Sequence, residues 1–149
     1  MKIEKVLVVG CGTMGGQIAM QTALCGYQVC AYDLKPEVVQ RAKAYSDKWF
    51  AGRVAKGRLT EEQARQAQER LNFTTDLPQA AHEADLAIEA VPDVAKIKRA
   101  VLSQVDQYVP ERAIYGSNSS YLVSSVFADA VRHPEHVANF HFFNPALVM

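Results

Sequence analysis

No stretch of this chain approaches the ~20 consecutive apolar residues of a membrane-spanning helix. The apolar run within MKIEKVLVVG is too short for a secretory core, so no membrane partner is expected. Sixteen basic and sixteen acidic side chains cancel. No basic block stands out, and nucleic acid is not an expected partner. Cysteine is scarce: Cys11, Cys25 and Cys30 are an odd set without metal-ligand spacing. That argues against a disulfide framework and a metal centre, and fits reduced thiols in a cytoplasmic protein. Cys11, inside a glycine-rich turn, reads as a small side chain tolerated there in preference to a reactive thiol. Internal repeats and low-complexity linkers are also missing. What remains, at 149 residues, is one domain over 1–149, large enough to bury about two-thirds of its unfolded surface.

What is present begins with Lys5 to Asp33, KVLVVGCGTMGGQIAMQTALCGYQVCAYD. A short apolar run, Val6 to Val9, meets Gly10, Gly12 and Gly15, and an amphipathic run from Gln17 to Leu24 ends at Gly26. A second β-type run, Tyr27 to Tyr32, finishes on Asp33. Strand, glycine turn, helix, strand and acid in this order make a dinucleotide-binding unit. Gly10 permits the tight turn, Gly12 lets a pyrophosphate approach the backbone, and Gly15 lets helix and strand pack closely. Free N–H groups and the dipole at the helix N-terminus attract the anion. A carboxylate at Asp33 can accept from both adenosine ribose hydroxyls and would repel a 2′-phosphate, which favours NAD over NADP.

Further along, Pro36 suits the first turn of a helix running to about Phe50, with Val38, Val39, Ala42 and Trp49 as buried positions. Lys48, Arg53, Lys56 and Arg58 make this region basic. A solvated helix face is the default reading of that cluster, and contact with substrate phosphates is the functional one. Thr60 followed by Gln63 reads as a capping box, so TEEQARQAQERL is another helix, closed by an extended run from Asn72 to Thr75. These two helices form an expected helical hairpin inserted after the second strand. LAIEAV then predicts a strand carrying Glu89. A helix from about Val94 to Val109 follows, with Ile97, Val101 and Val105 on one face. Ala113 to Gly116 is the next strand, Val123 to Val131 a short helix, and Val137 to Phe140 the last strand. The alternation predicts an α/β fold, a Rossmann-type doubly wound, mostly parallel sheet.

Ligands of such a sheet lie outside the carboxyl ends of its strands. There this chain presents the glycine turn, Asp33, Pro92 with Asp93, Ser117 to Ser120, and His141 with Asn144. His82, His133 and His136 fall in helix ends or loops and read as exposed bystanders. His141 follows a strand among Phe140, Phe142 and Phe143, at the cofactor end. Glu89, a carboxylate inside an apolar strand, must find partners. Hydrogen bonds from loop amides are the preferred reading over catalysis. Ser119 and Ser120 read equally well as helix caps and as site residues.

With these pieces placed, the chain resembles the NAD-binding domain of the L-3-hydroxyacyl-CoA dehydrogenases, including the bacterial 3-hydroxybutyryl-CoA dehydrogenases. The motifs are GCGTMGGQIA, GRLTEEQA, EAVPD with Lys98 beyond it, SNSS and HFFNP. The last is the most specific, because related sugar-acid dehydrogenases and crystallins carry a variant there. The resemblance implies reversible, NAD-dependent oxidation of L-3-hydroxyacyl-CoA to 3-ketoacyl-CoA. It implies His141 as the general base, a task suited to an imidazole of unperturbed pKa about 6.5. Ser120 and Asn144 would orient the substrate oxygen. Cofactor contacts would come from Gly10, Gly12, Thr13, Met14, Gly15 and Asp33, and from Ala90, Val91, Asp93, Lys98, Asn118 and Ser120. Lys98 would also face the CoA side, and Lys56 would meet the CoA phosphates.

Two positions depart from the family's pattern: Asp93 stands for a glutamate, and Tyr121 for the second serine of a pair. The family's glutamate that pairs with the histidine falls a few residues beyond Met149, as does a helical domain that supplies homodimer contacts. The chain therefore reads as truncated, expected to bind NAD but to turn over poorly alone. The rival readings are a sugar-acid dehydrogenase and a non-catalytic, redox-sensing NAD module. A substrate panel of CoA thioesters against free hydroxy acids separates the first rival. Absence of turnover in a full-length chain marks the second.

Overall fold

A computed structural model describes residues 2–148. Met149, the end of the expected domain, lies outside the described residues. The elements are β1 (Lys5–Val9), α1 (Thr13–Leu24), β2 (Gln28–Tyr32), α2 (Pro36–Ala55), α3 (Glu61–Glu69), β3 (Leu71–Thr74), α4 (Leu77–Ala81), β4 (Leu86–Glu89), α5 (Ala95–Asp106), β5 (Ile114–Ser117) and β6 (Val137–Asn139). They build a six-stranded sheet of order β3-β2-β1-β4-β5-β6 in which every pairing is parallel. The order reverses between β1 and β4, which opens a crevice at the carboxyl ends of those two strands.

Strand alternation sorts the core. Val6 and Val8 face α1 and pack with Ile18, Ala19, Ala23 and Ile88. Leu7 and Val9 face the other way, onto Leu102, Val105, Tyr115 and Phe127. Both faces are covered, as a parallel sheet requires. A third cluster joins Met20, Phe50, Ala64, Ala67 and Leu147, so the segment after His141 returns to the body of the domain.

Several sequence expectations shift. Helix α2 runs past Phe50 to Ala55. Val38, Val39 and Trp49 are only half-buried, while Ser46 and Phe50 are buried. The expected helix over 123–131 is two 3₁₀ turns, Ser124–Val126 and Ala128–Ala130. Helix α4 was not expected. At five residues it is too short to show a period, although Asp76 caps it by accepting from the Gln79 amide at 3.0 Å. On α5, Val105 is buried in the core but Ile97 is 39% exposed, because the stripe they share with Val101 runs from the core out along a groove.

Asp85 ties the edge of this frame together. Its Oδ2 accepts from the amides of Glu4 and Lys5 at 3.0 and 3.1 Å, and its Oδ1 from Arg112 at 2.8 Å. Those two amides, and then Arg112, hold the carboxyl below its ordinary value against the opposing effect of burial. A depressed folded-state pKa stabilises the fold above the unfolded carboxylate value of about 3.9 and is lost as pH falls through the lower folded value. Asp85→Asn is therefore expected to lower the melting temperature at pH 7 and to flatten its fall below pH 4. Parallel melting curves for the two proteins across pH 2–5 would contradict that linkage.

Candidate functional site

The turn between β1 and α1 is built by close approach. Gly10 has φ +97°, and a Cβ on it would lie 2.9 Å from the Ala90 carbonyl oxygen. A Cβ on Gly15 would lie 1.7 Å from the Gly10 carbonyl oxygen, a distance no side chain survives. Gly12 is different: nothing stands within 4 Å of where its Cβ would be, and the residue is exposed. Gly12 is also the N-cap of α1, with no side-chain cap and no acid in the first turn. The first amides of α1 therefore face open space beside a bare backbone, the arrangement that accepts a pyrophosphate.

Asp33 closes the same turn. Its Oδ2 accepts from the Cys11 amide at 2.9 Å and its Oδ1 from the Lys35 amide at 3.0 Å, which leaves lone pairs for ribose hydroxyls. A groove of about 780 Å³ runs from Tyr32 and Asp33 past Gly12 and Met14 to Val91 and Pro92, with Ile97 and Val101 as its apolar wall. Gly10, Thr13 and Ala90 also line it. The residues fit an adenine dinucleotide: acceptor, bare amides and an apolar wall in the right order. Cys11 is buried, and burial first, then the Asp33 charge, pushes its thiol up to about 12. It is held protonated and inert, as a tolerated small side chain.

At the other side of the crevice a buried ion cluster fastens the ends of β4 and β5 to α5. Lys98 and Glu89 are each 1% exposed. The Lys98 ammonium donates to Glu89 Oε1 at 2.7 Å and Oε2 at 2.9 Å, and to the Val91 carbonyl at 3.3 Å. It also lies 3.1 Å from Asp93 Oδ1. Ser117 Oγ donates to Glu89 in a short contact, and the Val91 amide donates to Glu89 at 3.2 Å. This corrects one expectation and refines another. Lys98 does not face a CoA group, because its ammonium is fully engaged in the interior. Glu89 is structural as expected, but only one of its partners is a loop amide.

From this cluster the polar network reaches the loop after β5. Burial raises the Asp93 carboxyl, yet hydrogen bonds from Ser119, Lys98 and the Ser120 amide bring it below its ordinary value. Ser119 is buried and caps the amides of Tyr121 and Leu122 at 3.3 and 2.8 Å. Ser120 is exposed, and of the two serines only Ser119 is seen capping amides with its side chain. Asn118 donates its amide to the Glu89 carbonyl at 2.9 Å and accepts from the Phe142 amide at 2.8 Å. Phe140 donates to the Ser117 carbonyl at 2.7 Å. These bonds carry the strand ladder on past β6 and bring the His141 segment beside the 117–120 loop. His141 is exposed, its ring tilted on Phe143 with centroids 5.0 Å apart. Asn144 is exposed nearby in the chain, and Tyr121 is 84% exposed.

Lys56 lies apart from this crevice, at the C-terminal cap of α2. With Tyr45, Lys48, Trp49, Gly52 and Arg53 it edges a hollow of about 370 Å³, where Arg53 sits 4.8 Å over the Trp49 ring. The sequence missed Ser117 as a partner of Glu89, and Ile97 with Val101 as groove wall. Their only local signal was a polar residue ending a strand and an apolar stripe opposite Lys98.

Comparisons agree with this geometry. The profile of the family described as 3-hydroxyacyl-CoA dehydrogenase, NAD binding domain, matches residues 5–149. The 3-hydroxyadipyl-CoA dehydrogenase of Escherichia coli (strain K12) is 37% identical over 147 residues, 99% of this chain and 31% of the relative. A fatty acid oxidation complex subunit alpha from Pseudomonas putida (strain GB-1) is 35% identical over 99% of this chain and 20% of its own length. Among solved structures, 3-hydroxybutyryl-CoA dehydrogenase from Escherichia coli K12 superposes with a TM-score of 0.95 at 36% identity, over 100% of this chain and 31% of that one. FadB2 of M. tuberculosis gives 0.94 at 31% identity, over 100% and 52%. The chain thus spans about a third or less of the curated relatives it matches. The glycine turn, Asp33 and the matched profile together show that this chain belongs to the 3-hydroxyacyl-CoA dehydrogenase family as an NAD-binding domain, with NAD as its cofactor.

Proposed function

We propose that the protein carrying this domain moves a hydride reversibly between C3 of an L-3-hydroxyacyl-CoA and NAD. The groove from Asp33 past Gly12 and Met14 to Val91 would hold NAD, which would supply the hydride acceptor for the C3–H bond. His141 takes the 3-hydroxyl proton on a ring nitrogen as the C3–O bond becomes a carbonyl, and returns it in the reverse direction. Ser120 and Asn144 hold the substrate oxygen against that ring. Asn118 lines the nicotinamide side, and Asp93 positions Ser120 through its amide. The basic, aromatic hollow at Lys56 receives the CoA phosphates, where Lys48 and Arg53 add charge. The reading extends to a cytoplasmic homodimer whose remaining domain covers the acyl chain.

The observation that carries the proposal is an exposed His141 held by the Phe142–Asn118 hydrogen bond beside the loop that bears Ser120. In the full-length protein, His141→Ala is expected to reduce NADH-dependent reduction of acetoacetyl-CoA by ~10²–10⁴-fold, the usual worth of a general base. NAD affinity, read by calorimetry on this chain, is expected to stay within a few-fold. Turnover that persists in the variant would place the base elsewhere.

A further inference from the structure

At the end of the sheet opposite the crevice, the chain enters β6 through a 3₁₀ turn, Pro134–His136. His133 and His136, read from sequence as exposed bystanders, are half-buried. Their rings stack at 5.0 Å with 25° between planes. His133 Nδ1 lies 3.2 Å from Glu135 Oε1. One ligand atom from each of His133, Glu135 and His136 lies within 4.8 Å of the others.

The tautomer of His136 can be deduced. Its Nδ1 is 3.1 Å from the Ala113 carbonyl oxygen, which can only accept. Nδ1 therefore carries the hydrogen, and Nε2 keeps a free lone pair in the neutral ring. A ring hydrogen donated to a backbone carbonyl is the outer-shell contact that orients metal-binding histidines. The neighbouring cations do not oppose a metal: Arg132 is paired with Asp106 and Arg112 with Asp85.

We propose that His133, Glu135 and His136 form a site for a borderline divalent cation such as Zn²⁺, bound by two imidazoles and one carboxylate with water in the fourth position. That ligand set and open position suit zinc chemistry. The cation would clamp the turn that leads into β6, remote from the hydride-transfer site.

The test is calorimetric titration of Zn²⁺ alone into the chain, in a Cys25→Ser background that removes an exposed competing thiol. One equivalent is expected to bind with a dissociation constant of about 10 µM, weaker than closed structural sites with four protein ligands. His133→Gln and His136→Gln are each expected to weaken binding about tenfold or more. Zinc should raise the melting temperature of the parent and leave that of the double variant unmoved. Circular dichroism without zinc checks that each variant folds; should one not fold, Glu135→Gln replaces it. Binding weaker than millimolar, or binding that survives loss of both imidazoles, overturns the assignment.

Discussion

Gly15→Ala is expected to melt on the order of 10 °C below the parent chain, the consequence of a loss above ~3 kcal/mol in a domain of this size. The new methyl would stand 1.7 Å from the Gly10 carbonyl oxygen and 3.3 Å from the Ala90 side chain. A backbone oxygen cannot rotate away as a flexible side chain does. The cost therefore exceeds the ~1–3 kcal/mol of ordinary overpacking, and α1 must withdraw from β1. NAD binding is expected to disappear with it, because the helix amides lose their position. Gly12→Ala is the matched control. Its methyl meets nothing within 4 Å, so the melting temperature should stay within ~1–2 °C, consistent with a surface change of under ~0.5 kcal/mol. Yet NAD affinity should drop about tenfold or more, ~1.4 kcal/mol, since the methyl occupies the approach of the pyrophosphate. One methyl added at two positions thus separates packing from binding. Equal melting temperatures for Gly15→Ala and Gly12→Ala would end the argument, as would undiminished NAD affinity in Gly12→Ala.

This contrast also explains what could be read from the sequence. Gly10, Gly12, Gly15 and Asp33 lie within one strand–turn–helix–strand unit, and each glycine does in space what its place in the turn requires. The capping box at Thr60 and Gln63 is equally local: its two bonds, at 2.9 and 3.1 Å, span three residues. Misreadings arise where a residue's partner belongs to a different element. Lys98 is a ligand contact only by the family resemblance, and Glu89 on β4 draws its ammonium into the interior. Ile97 and Val101 read only as one apolar face of a helix, and that face alone does not separate core from groove wall, because a dinucleotide groove needs the same apolar residues. The turns at 124–130 lack the length for a period, so a short helix was the natural reading.

Lys98→Met should be the second large effect, through charge and not volume. It removes the only ammonium that touches Glu89 among the described residues and leaves a carboxylate 1% exposed with Ser117 and the Val91 amide as its remaining donors. Breaking a buried pair from one side costs ~3–5 kcal/mol, because the surviving charge is uncompensated. The double variant Lys98→Met/Glu89→Gln removes both charges and keeps an amide to accept from Ser117 and Val91. It should regain most of that loss, as neutral replacements of buried pairs do. The two proteins then differ in what they say about the site. If the cluster serves only the fold, the double variant binds NAD as the parent does. If it sets the 117–120 loop through Asp93, the double variant recovers its melting temperature while NAD affinity or turnover stays impaired. The second outcome is expected, since Asp93 is within 3.1 Å of the Lys98 ammonium and receives the Ser120 amide. A single Lys98→Met variant that loses less than ~1 kcal/mol, in urea titrations with an unchanged slope, would show that the ion pair does not fasten the strand ends.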